Sequence, residues 1–133
     1  MSNKIFCSLI VVSIALAAAS LRAHHSPSAI FDMRTQIAVT GTLTKLEWIN
    51  PHIVILMEAK GDRGNVDNWK FESNPPSWFR KVGLVRADLA KALGHTITVE
   101  GVKARDGSLY GYMTKIKFSD GTLLELILDP SIK

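Results

Sequence analysis

The feature that most limits what this chain can fold into is a succession of short runs of β-branched, aliphatic and aromatic residues, each closed by a turn signal. Residues 39–48 are rich in Thr, Val and Leu and stop at Asn50-Pro51, a pair suited to a turn because Asn tolerates turn dihedrals and Pro fixes φ while giving up its donor. Residues 52–59 resume the pattern, and Gly61, Asp62, Arg63 and Gly64 end it. In residues 66–73 Trp69 and Phe71 fall on one face and Lys70 and Glu72 on the other, the period-2 signature of a half-buried strand. Residues 96–102 alternate again. Asp106-Gly107 then closes a hairpin into residues 109–118, and Asp120-Gly121 leads to a last strand over residues 123–128. Strict alternation puts Tyr110, Tyr112, Thr114, Ile116 and Phe118 on one face of that hairpin strand.

Between the third and fourth strands the pattern changes. Asn74-Pro75-Pro76-Ser77 breaks the alternation, and Trp78, Phe79 and Val82 recur at helical spacing before Gly83, a residue fit to end a helix. A further helical turn is expected over residues 88–93, ending at Gly94. The element order is therefore three strands, a short helical segment, and two or three more strands. It predicts a mostly β domain, a small OB-like barrel of five to six antiparallel strands. Closure would hide the edges of strands as apolar as residues 53–57; an antiparallel sandwich is the competing architecture.

The chain has 133 residues, 47% of them hydrophobic, and the excess is concentrated at the start. Lys4 precedes an apolar run from Ile5 to Leu16, and Ala15, Ala17, Ala18 and Ala19 follow, the layout of a cleavable secretory signal over residues 1–23. Ser20 and Arg22 end the run short of the roughly 20 apolar residues that a membrane span needs. A periplasmic or secreted domain follows, with no stable membrane span after cleavage. Residues 24–36, with a Ser-Pro-Ser turn and few periodic apolar positions, read as an N-terminal arm, and residues 37–129 as the domain itself. Cys7, the only cysteine, lies inside the signal. The mature chain thus relies on its apolar core without disulfides or thiolate ligands.

Loss of Lys4 and Arg22 lowers the 16 basic residues to 14 against 12 acidic ones, a formal charge of +2, which is no footprint for nucleic acid. The sequence also holds no Gly-x-Ser-x-Gly elbow, no His-Glu-x-x-His pair and no phosphate-binding glycine loop, and no enzyme class is indicated.

Histidines supply the chemistry that remains. Cleavage after Ala23 would make His24 the mature N-terminus, whose amine and imidazole chelate together. One more histidine would complete a nitrogen site of the kind Cu(II) favours. Cleavage after Ala19 satisfies the small-x-small rule better and leaves His24 and His25 in a solvated lead-in. His52 follows the Asn50-Pro51 turn at the mouth of a strand, where it can face the arm, with Glu72 as a carboxylate ligand or supporting acceptor. The metal candidates are thus His24, His25 and His52, with copper the candidate ion. The competing reading has His52 stabilising its own turn, and His95 is expected as an exposed turn residue. Trp48, Trp69, Trp78, Phe79, Tyr110 and Tyr112 are stacking candidates that core packing also explains.

Taken together, the Ala23-His24-His25-Ser26 segment, the run Gly41-Thr42-Leu43-Thr44-Lys45-Leu46-Glu47-Trp48 continuing to Asn50-Pro51-His52, the Trp69-Lys70-Phe71-Glu72 strand, and Lys103-Ala104-Arg105-Asp106-Gly107-Ser108 resemble the DUF6152 family of exported bacterial proteins. The resemblance covers nearly the whole mature chain and marks Trp48, Asn50, Pro51, Trp69 and Glu72 as the motif-bearing surface. It departs at residues 90–94, where a Pro-Gly turn is expected and a more helical stretch stands instead. It implies an exported domain and no assigned reaction. The reading favoured is a non-catalytic binding or interaction module for an envelope protein or small ligand; the alternative is a periplasmic copper-binding protein using the N-terminal histidines and His52.

Overall fold

The computed structural model describes residues 26–81 and 83–126. The expected signal, His24, His25, Val82 and the end of the last expected strand lie outside them. The elements run α1 (Pro27–Ile30), β1 (Phe31–Trp48), β2 (Ile53–Lys60), β3 (Val66–Glu72), α2 (Pro76–Lys81), α3 (Arg86–Ala90), β4 (Thr96–Ala104), β5 (Tyr110–Phe118) and β6 (Leu123–Glu125). The mostly β class and the short helical link between the third and fourth strands are as the sequence indicates.

The six strands form one sheet ordered β3-β2-β1-β4-β5-β6, and an added β3–β5 pairing closes a ring of hydrogen bonds through five of them. That closing pair, Lys70–Glu72 against Tyr110–Tyr112, is parallel, whereas the other pairings are antiparallel. Parity requires it, because alternating strand directions around an odd ring must repeat once. β1 belongs to two ladders, pairing with β4 through Thr42 and with β2 from Gly41 onward. Gly41 lies at the overlap, where a Cβ would stand 2.2 Å from the carbonyl oxygen of Glu58, so the curvature there requires glycine.

Alternation fills the interior. Ile53, Ile55, Met57 and Ala59 of β2 are buried with Leu43, Leu46, Phe71, Val99, Met113 and Ile116. Phe79 of α2 and Leu89 of α3 complete this core, each no more than 1% exposed. Burial of each such side chain stabilises the fold by roughly 1.5–3 kcal/mol. α2 ends as expected at Gly83, whose φ is +80°, with Leu84 N–H donating to the Phe79 carbonyl at 2.9 Å. α3 starts earlier than the sequence indicates because the Asp88 carboxylate accepts from the Val85 N–H at 2.9 Å. Turns continue from it through Ala92 and Leu93 to Gly94, so of the segment that departs from the family pattern only Ala90 is helical and residues 91–94 are turns.

Two local expectations differ from the structure. Residues 26–36 are a helical turn followed by the first part of β1, and Phe31 within them is fully buried. Phe31 is the large aromatic anchor of this segment, with Met33 packed beside it. Arg105 also ties this segment down, its backbone N–H donating to Ile30 at 2.9 Å and its Nε to Ser28 at 3.1 Å. The second difference lies in β5, where Gly101 pairs with Met113 but Glu100 pairs with Lys115, leaving Thr114 as an extra residue. This bulge flips the alternation. Tyr112 therefore packs in a separate cluster with Phe31, Val102 and Ala104, while Ile116 belongs to the main core.

Candidate functional site

The separate cluster borders the polar groups that the sequence nominated. Gly111 faces inward, where a Cβ would stand 2.6 Å from the Phe71 ring. Its neighbours Tyr110 and Tyr112 consequently project from the opposite face of β5, and the parallel pairing sets Tyr112 beside Glu72. Glu72 shares the outward side of β3 with Lys70, as alternation predicts, yet it is only 8% exposed. The neighbouring strands cover it.

Its two carboxylate oxygens have different partners. The Tyr110 hydroxyl donates to Oε2, and His52 Nδ1 lies 3.4 Å from Oε1. His52 reaches this position because it directly precedes β2, whose Val54 pairs with Glu72. The preceding Asn50-Pro51 peptide is cis. The His52 side chain is 39% exposed, so this side of the cluster opens to solvent. Lys70 Nζ lies 4.7 Å from the centroid of the Tyr110 ring. Burial raises the Tyr110 phenol above its ordinary pKa, and the hydrogen bond to Glu72 and the carboxylate charge add to the effect. The phenol is thus held as a neutral donor.

Around this trio the packing is firm. Phe31 stands edge-on to Tyr110 at 5.0 Å and tilted against Tyr112 at 5.6 Å. The Tyr112 hydroxyl donates to Asn74 Oδ1 at 2.9 Å. Asn74 Nδ2 reaches the Leu126 carbonyl at 3.4 Å, and the Asn74 carbonyl accepts from Ile53 N–H at 3.2 Å. Asn74 thereby joins the ends of β3, β2 and the segment after β6. Buried polar groups of this kind hold their geometry because each has a partner.

The structure thus brings His52 and Glu72 together. His24 and His25 lie outside the described residues, and among those residues no group of three or more His, Cys, Asp or Glu side chains is arranged to hold a metal. Asn50 and Pro51 are exposed in the turn before His52. Trp48 is half-buried against Phe79 at 5.5 Å, and Trp69 stacks on Phe71 at 5.5 Å beneath Lys103. Both tryptophans pack against the core. His95 is exposed, at the rim of a cleft shared with Lys91, Phe118 and Asp120. Sequence reasoning treated Tyr110 as a stacking residue and missed its bond to Glu72. Phe31 and Asn74 were missed as supports. The available signal was Tyr-x-Tyr straight after a hairpin turn, with glycine between, which marks one flat, closely approached face.

Comparison with known proteins adds one match. The profile of DUF6152, described as a family of unknown function, matches residues 10–113. No curated protein matches the chain, and no solved structure does.

Proposed function

The chain belongs to the DUF6152 family, a family of unknown function, and on that premise we propose that the mature protein is an exported, non-catalytic binding module whose ligand surface is the seam carrying His52, Glu72 and Tyr110. The observation that carries this reading is the setting of Glu72. It is a carboxylate almost withdrawn from solvent, fixed by a phenol on one oxygen and facing a half-exposed imidazole on the other. Burying a carboxylate costs free energy that an apolar residue at the same place would avoid. A surface that keeps such a group oriented and reachable from one side is suited to recognising a ligand. Export is supported by the signal-like residues 1–23, and the formal charge of +2 after their removal argues for a ligand other than nucleic acid.

The test is an amide-resolved NMR titration of the mature chain with fractionated envelope extract. Shifts confined to residues 52–54, 70–74 and 110–112, and lost in Glu72→Gln, are the expected result. Shifts confined to the cleft around His95 would overturn the surface assignment.

A second reading, a periplasmic copper-binding protein using His24, His25 and His52, is favoured by the contact between His52 and Glu72. The native mass of protein purified from the periplasm tests it together with export. A chain beginning at His24 with one copper retained is the result it expects. A metal-free chain beginning at Ser20 removes the N-terminal nitrogen donors and sinks it, while an uncleaved chain contradicts the signal.

A further inference from the structure

We propose that the protein has a second surface, the helical link between β3 and β4, on which it lies against an anionic phospholipid bilayer. Arg80, Lys81 and Arg86 meet the lipid phosphates, and Trp78, Val85 and Ile49 enter the headgroup layer between them. This goes beyond the seam of His52, Glu72 and Tyr110, shares no residue with it and does not rest on it.

The first observation is charge. Residues 76–94 hold four basic residues and one acid, whereas residues 24–133 together carry a formal charge of only +2, so the remainder of that chain is net negative. Such a polarised distribution turns one end of a molecule toward a negative surface. Arg80, Lys81 and Arg86 are exposed, and among the described residues none of them has an ion pair or a side-chain hydrogen bond. The one acid, Asp88, accepts from the Val85 N–H. Local structure does not account for Arg86 either, since it opens α3, the helix end where the backbone dipole disfavours a cation.

The second observation is the apolar surface among these cations. Val85, directly before Arg86, is 50% exposed, and Ile49, directly after Trp48, is 59% exposed. Trp48 and Trp78 both pack on the Phe79 ring, at 5.5 and 5.2 Å, which brings the end of β1 beside α2. The Leu84 N–H bond to the Phe79 carbonyl holds the start of α3 against the same helix. Exposed aliphatic residues scattered singly are ordinary. Here they stand among unpaired cations and a half-buried tryptophan, the mixture that seats a protein in a lipid headgroup layer. A nucleic acid or an acidic peptide would engage the cations and gain little from Ile49 and Val85; a bilayer engages both.

The experiment sediments the mature chain with vesicles of phosphatidylcholine, alone or mixed with phosphatidylglycerol. Binding to the mixed vesicles, absent on phosphatidylcholine alone and weakened by added salt, is expected. Arg80→Gln, Lys81→Gln and Arg86→Gln combined should weaken it about a hundredfold, at roughly fivefold per basic side chain, and Ile49→Ser with Val85→Ser should weaken it severalfold. The control Lys60→Gln with Arg63→Gln, at the β2–β3 turn, should leave it nearly unchanged; a loss equal to that of the triple variant would overturn the assignment of the surface. Should the triple variant fail to fold, spin-labelled lipid in the mixed vesicles decides with the wild-type chain. Amide signals of residue 49 and of residues 78–81 and 84–87 should broaden most, and broadening centred elsewhere would overturn the proposal. Binding to soluble polyglutamate as tight as to the vesicles, and unaffected by the serine substitutions, would replace the bilayer by an acidic macromolecule. No binding to the mixed vesicles would overturn it outright.

Discussion

Phe31→Ala tests whether the chain before residue 37 belongs to the folded unit. Phe31 is 0% exposed and contacts the rings of Tyr110 and Tyr112 at 5.0 and 5.6 Å, with Val102 and Ala104 completing its surroundings. Truncating a fully buried phenylalanine costs about 3–5 kcal/mol, combining lost transfer free energy with the cavity left behind. This cluster is small and lies at the start of β1, where partial collapse is easier than in the main core, so the lower end, about 3 kcal/mol, is the expected loss. For a domain of roughly a hundred residues that corresponds to a fall in Tm of about 12 °C or more. Urea unfolding followed by tryptophan fluorescence measures it: the midpoint should drop with the slope unchanged, the mark of lost stability rather than altered compactness. Phe31→Leu keeps most of the buried volume and should cost less than about 1.5 kcal/mol. A loss below about 1 kcal/mol for Phe31→Ala would refute the reasoning, since surface substitutions fall in that range, and would return residues 26–36 to the status of a solvated arm.

Tyr110→Phe removes the donor to Glu72 and should cost about 1.5 kcal/mol, the lower end for a hydrogen bond to a charged group because Tyr110 is only partly buried. Its pH dependence has a definite sign. The folded phenol is held above its ordinary pKa, so its contribution is full below the unfolded value near pH 10 and is lost as pH rises through the folded value. Between pH 9 and 11 the wild-type midpoint in urea should therefore fall more steeply than that of Tyr110→Phe; parallel curves would contradict the assignment. Gly111→Ala places a Cβ 2.6 and 2.8 Å from the fully buried Phe71 ring and 3.1 Å from Ile37, and overpacking there should cost about 1–3 kcal/mol by the same unfolding assay. A neutral result would mean that Phe71 moves freely.

Period-2 alternation was sufficient to read β2, where Ile53, Ile55, Met57 and Ala59 alternate with more exposed residues, and turn pairs located both late hairpins. Closure of the ring could be anticipated from element order, but the parallel sense of its last pairing follows from strand count and is invisible in any one segment. The bulge at Thr114 was not legible. Nothing in Tyr-Gly-Tyr-Met-Thr-Lys-Ile marks where the alternation slips, because the extra residue is determined by the partner strand at Glu100 and Gly101. Phe31 was missed for a related reason: the alternation Phe31-Asp32-Met33-Arg34 is only two repeats long and stops at Thr35 and Gln36, too short to stand out as a strand. His52 and Glu72 were both nominated, yet their contact depends on the β2–β3 register, and the role of Tyr110 depends on the β3–β5 pairing, which lets it bond a residue 38 positions away.

The slip in β5 is also what separates chemistry from packing in this fold. Without the extra residue, Tyr110 and Tyr112 would share a face with Ile116 and compete for the interior, where Phe71 already fills the space beside Gly111. With it, one strand serves two surfaces: its second half seals the core through Ile116, and its first half turns two hydroxyls outward to Glu72 and Asn74. Phe31 then backs the two tyrosine rings from β1, so the polar trio stands on an apolar footing of its own. The face carrying His52 is consequently built apart from the core, so that its hydroxyls and carboxylate can change while the ring of strands persists.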